Sequence, residues 1–149
     1  MDADLIAEDR NGNPVLLVEV KTREAEAKDR FDLVGRLQSI HPSIPFGMLV
    51  DPERILILRS DCADPLSPIL DVSAVEVLRT YDDEFVGLET PYATRKVYQS
   101  FLNGLVRAWL SDLADRWKPD EPPFVKAIED LGLLERLKGG TVVEELLFQ

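Results

Sequence analysis

Residues 4–21 read Asp4-Leu5-Ile6-Ala7-Glu8-Asp9-Arg10-Asn11-Gly12-Asn13-Pro14-Val15-Leu16-Leu17-Val18-Glu19-Val20-Lys21. Asn11-Gly12 is a strong hairpin signal, because both residues tolerate the positive φ that a tight strand connection needs. It separates two apolar runs, so the stretch predicts antiparallel strands over about 4–9 and 14–21. The second run is apolar on both faces until Glu19, the pattern of a central strand covered on both sides.

Working outward, the period changes after Glu24. Ala25, Ala27, Phe31, Val34 and Leu37 sit among charges at helical spacing, which predicts a helix to about Ile40 that Pro42 stops. Ile44 to Val50 reads as a buried strand and Ile55 to Leu58 as its hairpin partner, with Asp51-Pro52-Glu53 as the turn. Residues 60–71 are rich in Asp and Pro and read as a loop, and Val72 to Arg79 fits a short helix or a strand equally. Thr90-Pro91 is a good helix start, and Tyr98, Phe101, Leu102, Leu105, Trp109 and Leu113 form a 3.6-residue stripe, so a long helix is expected over about 91–117. A break at Lys118-Pro119-Asp120 precedes a helix over about 121–131 that Gly132 ends. Leu133 to Lys138 adds a further helical turn, and Thr141 to Phe148 a terminal strand. The order predicts an α/β (α+β) fold: one domain over 1–149, with a hairpin–helix–hairpin core in 1–60 and a helical C-terminal part, 90–149, packed on it.

The chain has 149 residues, 45% of them apolar and 30% charged, which supports one core and argues against whole-chain disorder. Its apolar runs are too short to span a bilayer, no basic leader precedes Asp4, and the lone Cys62 excludes an internal disulfide or a multi-cysteine zinc site. A cytoplasmic location is the expectation. Seventeen basic against 28 acidic residues give a net charge of -11. Residues 1–60 carry -3 of it and residues 61–149 carry -8, so any surface for a polyanion is expected in the first 60 residues.

Asp4 and Glu19 stand out against this background. They lie fifteen positions apart with a tight hairpin between them, so the start of the first strand returns beside the end of the second. Glu19 and Lys21 are two apart on one strand and share a face. Two carboxylates, with the Val20 backbone carbonyl between them, make a partial oxygen shell for Mg²⁺ or Mn²⁺. A metal there polarises a phosphate oxygen and acidifies a bound water, and a lysine beside it orients that water or offsets developing charge. Phosphodiester hydrolysis is the reaction this set suits.

The spacing Asp4-(x)14-Glu19-Val20-Lys21, the Asn-Gly hairpin within it, and the helix and strand that follow resemble the PD-(D/E)XK nuclease superfamily. The stretch Phe46-Gly47-Met48-Leu49-Val50-Asp51-Pro52-Glu53-Arg54-Ile55 and the ending Lys138-Gly139-Gly140 are similar to a group of small bacterial proteins with that core. The resemblance implies a restriction endonuclease-like mixed β-sheet with flanking helices. It also implies a metal site at Asp4 and Glu19 with Lys21 as catalytic partner, and nucleic acid, DNA first, as substrate. The superfamily core usually opens with a helix and a strand ahead of its Asp; the sequence starts three residues before Asp4, so neither is expected upstream. Ala3 stands where proline is usual. Gln38 is a candidate for the auxiliary polar position in the following helix. A homo-oligomer or a partner protein would supply the missing part.

Other residues read more plainly. Asp2 lies outside the strand. Glu8 and Asp9 flank the turn and are expected to be solvated. Arg23, Lys28, Arg30 and Arg36 suit a phosphate track, but Glu24, Glu26, Asp29 and Asp32 interleave with them, which favours a salt-bridged solvent face. His41 is expected at a helix end, Trp109 and Trp117 in the core or an interface, and 119–123 as a helix connection. Two other readings stand beside the nuclease. One is a catalytically inactive module of the same fold that binds a protein partner. The other is an unrelated α/β protein in which Asp4, Glu19 and Lys21 form a cross-strand charge cluster.

Overall fold

A computed structural model describes residues 4–40, 42–87, 95–115 and 121–144. The fold is α+β, and among these residues it has six strands and five helices. They follow the chain as β1 Leu5–Glu8, β2 Pro14–Val20, α1 Ala27–Ser39, β3 Phe46–Val50, β4 Arg54–Arg59, β5 Leu70–Ser73, α2 Ala74–Leu78, α3 Arg95–Ala114, α4 Val125–Asp130, α5 Leu133–Leu137 and β6 Thr141–Glu144. The strands form one mixed sheet in the order β5-β4-β3-β2-β1-β6. Only β2 and β3 run parallel, which follows from the helix α1 that connects them. No described helix is long and apolar enough to cross a membrane.

Strand periodicity divides the core in two. Leu16, Val18 and Val20 of β2 face one side of the sheet with Phe46, Met48 and Val50 of β3, where α2, α3, α4 and α5 cover them. Trp109 is fully buried in this layer, and its indole N–H donates to the Pro123 carbonyl at 3.0 Å. Leu17 and Leu49 face the other side with Ile6 and Leu58, under Leu33, Val34 and Leu37 of α1. β2 is thus apolar on both faces because both faces are covered. Gly47 allows α1 to lie this close: a Cβ there would come within 2.8 Å of Leu37 Cδ1.

The hairpin closes as a β-turn in which Gly12 N–H donates to Asp9 O at 3.0 Å, with Gly12 at φ +83°. Asp9 is more than a solvated flank. Its Oδ1 accepts from the backbone N–H groups of Asn11 and Asn13 at 2.9 and 3.0 Å, and those bonds hold its carboxyl below the usual range. The predicted loop 60–71 ends early, because β5 begins at Leu70. The ambiguous stretch after it is both things in turn, a strand to Ser73 and then α2, whose first turn the Ser73 hydroxyl caps through Glu76 N–H. Phe31 does not join the core; it is 65% exposed, and Leu33 takes the buried position. The expected features at Asp2, His41, Thr90-Pro91, Trp117, Lys118-Pro119-Asp120 and 145–148 lie outside the described residues.

The C-terminal strand sets the far edge of the sheet. β6 pairs antiparallel with β1, Leu5 opposite Glu144 and Glu8 opposite Thr141. Gly140 passes so near β1 that a Cβ would sit 1.9 Å from the Glu8 carbonyl oxygen.

Candidate functional site

The site is built on the end of β2. Both edges of this strand are hydrogen-bonded, to β1 and to β3, so its side chains are fixed in direction. Glu19 follows Leu17 onto the α1 face, and Lys21, just beyond the strand, is held there by its own N–H on the Val50 carbonyl at 2.8 Å. The two side chains meet, with Lys21 Nζ 3.3 Å from Glu19 Oε2.

Asp4 arrives from the opposite side. Its N–H donates to Val18 O at 3.0 Å, and its Oδ2 accepts from the Val20 N–H at 2.7 Å. Asp4 thus brackets Glu19 along the backbone, with its N–H on one side and its carboxylate, in place of a ladder acceptor, on the other, at the point where β1 begins.

Helix α1 brings two more charges onto the same face. Asp29 and Arg36 are seven residues apart, two helical turns, on the side that Leu33 and Leu37 turn toward the sheet. The Arg36 guanidinium bonds Glu19 Oε1. Asp29 accepts from both terminal nitrogens of Arg23, at 2.8 and 3.0 Å, and from the Glu26 N–H at 2.8 Å, and it lies 4.0 Å from Lys21 Nζ. The hydrogen bonding of Arg23, above all, holds the Asp29 carboxyl down to about 2, against the opposing effect of burial. Two of the charges expected on a solvent face, Asp29 and Arg36, therefore work against the sheet. A buried charge needs partners of this kind, since an isolated one loses its hydration without return.

Asp51 fixes the loop above. It is 3% exposed, accepts from the Glu53 and Arg54 N–H groups through Oδ1, and from the Ala25 N–H through Oδ2, each at 2.7 Å. The β3–β4 turn and the segment leading into α1 are thereby tied together. From the other face of the sheet, Gln99 Nε2 of α3 donates to the Val20 carbonyl at 3.1 Å and to Asn103 Oδ1 at 3.0 Å.

Of the expected site residues, Asp4, Glu19, Val20 and Lys21 thus come together at one end of β2. Gln38 does not join them; it is exposed on the outer side of α1. The amide that reaches Val20 is Gln99, 79 residues away in the chain. Arg36 and Asp29 carried a signal, their heptad spacing with Leu33 and Leu37. Asp51 and Gln99 carried none, since their roles depend on contacts distant in sequence.

No group of three or more His, Cys, Asp or Glu able to hold a metal is found among the described residues. The donor set of two carboxylates and one carbonyl is nonetheless all oxygen, and Mg²⁺ commonly takes only one or two carboxylates and keeps several waters. The set fits a hard divalent cation by chemistry, with each donor now occupied by a protein hydrogen bond or ion pair. A scan against protein-family models and searches of curated proteins and of solved structures each return no match.

Proposed function

We propose that the chain is a divalent-metal-dependent nuclease of the PD-(D/E)XK type, with a restriction endonuclease-like core, that hydrolyses phosphodiester bonds of nucleic acid, DNA first. The observation that carries this reading is the meeting of Glu19 and Lys21 on one face of a central strand, with the Asp4 carboxylate held across the ladder on Val20 N–H. The neighbouring order supports it: hairpin, helix, then β3 parallel to the strand that bears Glu19.

In this reading Asp4, Glu19 and the Val20 carbonyl hold Mg²⁺ or Mn²⁺. The metal, when bound, supplies Lewis acidity to a phosphate oxygen and a more acidic water. Lys21 orients the attacking water and offsets charge that builds on the phosphate, a task its partial exposure allows. Arg23 and Arg36 extend positive charge from the site toward the helix.

The test is cleavage of labelled DNA and RNA with Mg²⁺ or Mn²⁺ by wild type and Lys21→Ala. Cleavage falls at least about 100-fold in the variant, while its circular dichroism spectrum is unchanged. Equal cleavage by the two proteins would falsify the assignment.

One observation favours a second reading, a catalytically inactive module that binds a protein partner, a second copy of the chain included. Phe31 and Leu66, 65% and 41% exposed, line a cavity of about 540 Å³ between α1 and the β4–β5 loop. Exposed apolar side chains of this kind suit a protein surface more than a polyanion. On this reading Mn²⁺ binds no more tightly than to any acidic surface, and Asp4→Ala leaves its isotherm unchanged.

A further inference from the structure

Glu19 is 6% exposed, and both of its oxygens are engaged by cations, Oε2 by Lys21 and Oε1 by Arg36. The two cations differ in origin. Lys21 lies on the same strand and shares the face by covalent geometry. Arg36 comes from the last turn of α1, and its side chain is 31% exposed, so it reaches the buried carboxylate from the surface of the molecule.

That position gives Arg36 two classes of partner. One is the carboxylate it now holds. The other is an anion arriving from solvent. A phosphodiester presents two oxygens to a guanidinium, a bidentate match that a single carboxylate oxygen does not offer. A divalent cation approaching Glu19 meets the opposite situation, because Arg36 sits on an oxygen it needs and repels it.

We propose that Arg36 gates the metal site: it closes Glu19 Oε1 to a divalent cation until a phosphodiester of the substrate takes the guanidinium over. The inference rests on the nuclease reading and adds an order of binding to it, in which nucleic acid and metal each favour the other. Such coupling is reciprocal, so it can be read from the metal side alone.

The experiment is a calorimetric titration of Mn²⁺ into wild type, Arg36→Gln, Arg36→Lys and Glu19→Gln, without and with a phosphorothioate oligonucleotide that resists cleavage. Without oligonucleotide, Arg36→Gln binds Mn²⁺ roughly tenfold or more tighter than wild type, because one positive charge is gone. Arg36→Lys stays within about threefold of wild type, since the charge is kept. Glu19→Gln abolishes the site. The oligonucleotide tightens Mn²⁺ binding in wild type and adds little in Arg36→Gln.

Equal, Glu19-dependent Mn²⁺ binding by wild type and Arg36→Gln overturns the gate and leaves the nuclease reading standing. Mn²⁺ binding that ignores Glu19 in every protein overturns both. Thermal melts report whether Arg36→Gln is folded. If it is not, the wild-type titrations decide: an oligonucleotide that leaves Mn²⁺ affinity unchanged overturns the gate.

Discussion

Asp29 serves three donors at once, and its acidity records the fact. Its folded-state pKa, about 2, lies below the unfolded value near 3.8. Its contribution to stability is therefore complete above pH ~4, declines as pH falls, and is gone below pH ~2. Asp29→Asn should lose roughly 1–2 kcal/mol at neutral pH and flatten this part of the acid-unfolding profile. Urea melts between these pH values check it; the same slope in both proteins would contradict the assignment. The residue was visible in the sequence as one acid among many. Its burial was not, because burial depends on which stripe of α1 turns inward. Phe31 turns out to solvent, and Leu33 joins Val34 and Leu37 on the inward stripe. The charges flanking that stripe, Asp29 and Arg36, find partners at the sheet.

Elements whose cues are local were legible. The Asn-Gly hairpin, the apolar run of β2 and the β3–β4 pair needed nothing beyond neighbouring residues. β5 was only half visible, because Leu70 and Asp71 lie in the Asp- and Pro-rich stretch, Val72 and Ser73 in the one that fitted helix or strand, and the pairing with β4 that joins them is not local. Two glycines show how differently elements depend on their surroundings. Gly35 lies exposed in α1, and a Cβ there meets nothing within 4 Å. Gly35→Ala should gain about 0.5–1 kcal/mol from helix propensity. Gly140→Ala should lose about 2–4 kcal/mol, because the added carbon meets β1 backbone that cannot yield without shifting the strand. Thermal denaturation of the two variants side by side checks both signs.

Across the whole molecule, the sheet depends on a strand the first 60 residues do not contain. β1 lies between β2 and β6, so β6 covers an edge that would otherwise present unpaired N–H and C=O groups. This pairing was not legible, since no local pattern says which distant strand will choose which edge. Asp4 immediately precedes β1, so the candidate site shares that dependence. Truncation before Thr141 should uncover the β1 edge, lower the melting temperature and drive self-association. Size-exclusion chromatography over a range of concentrations would show it, and a monomeric truncate of unchanged melting temperature would contradict it.

The pairing of Leu5 with Glu144 also has a consequence in time. During synthesis β1 to β4 leave the ribosome well before Thr141 does. At about 5–20 residues per second, the 82 residues from Arg59 to Thr141 take on the order of 4–16 s. Through that interval the nascent sheet carries an open flank next to the strand that bears Glu19. Of all the segments described, the last to be translated is the one that seals it.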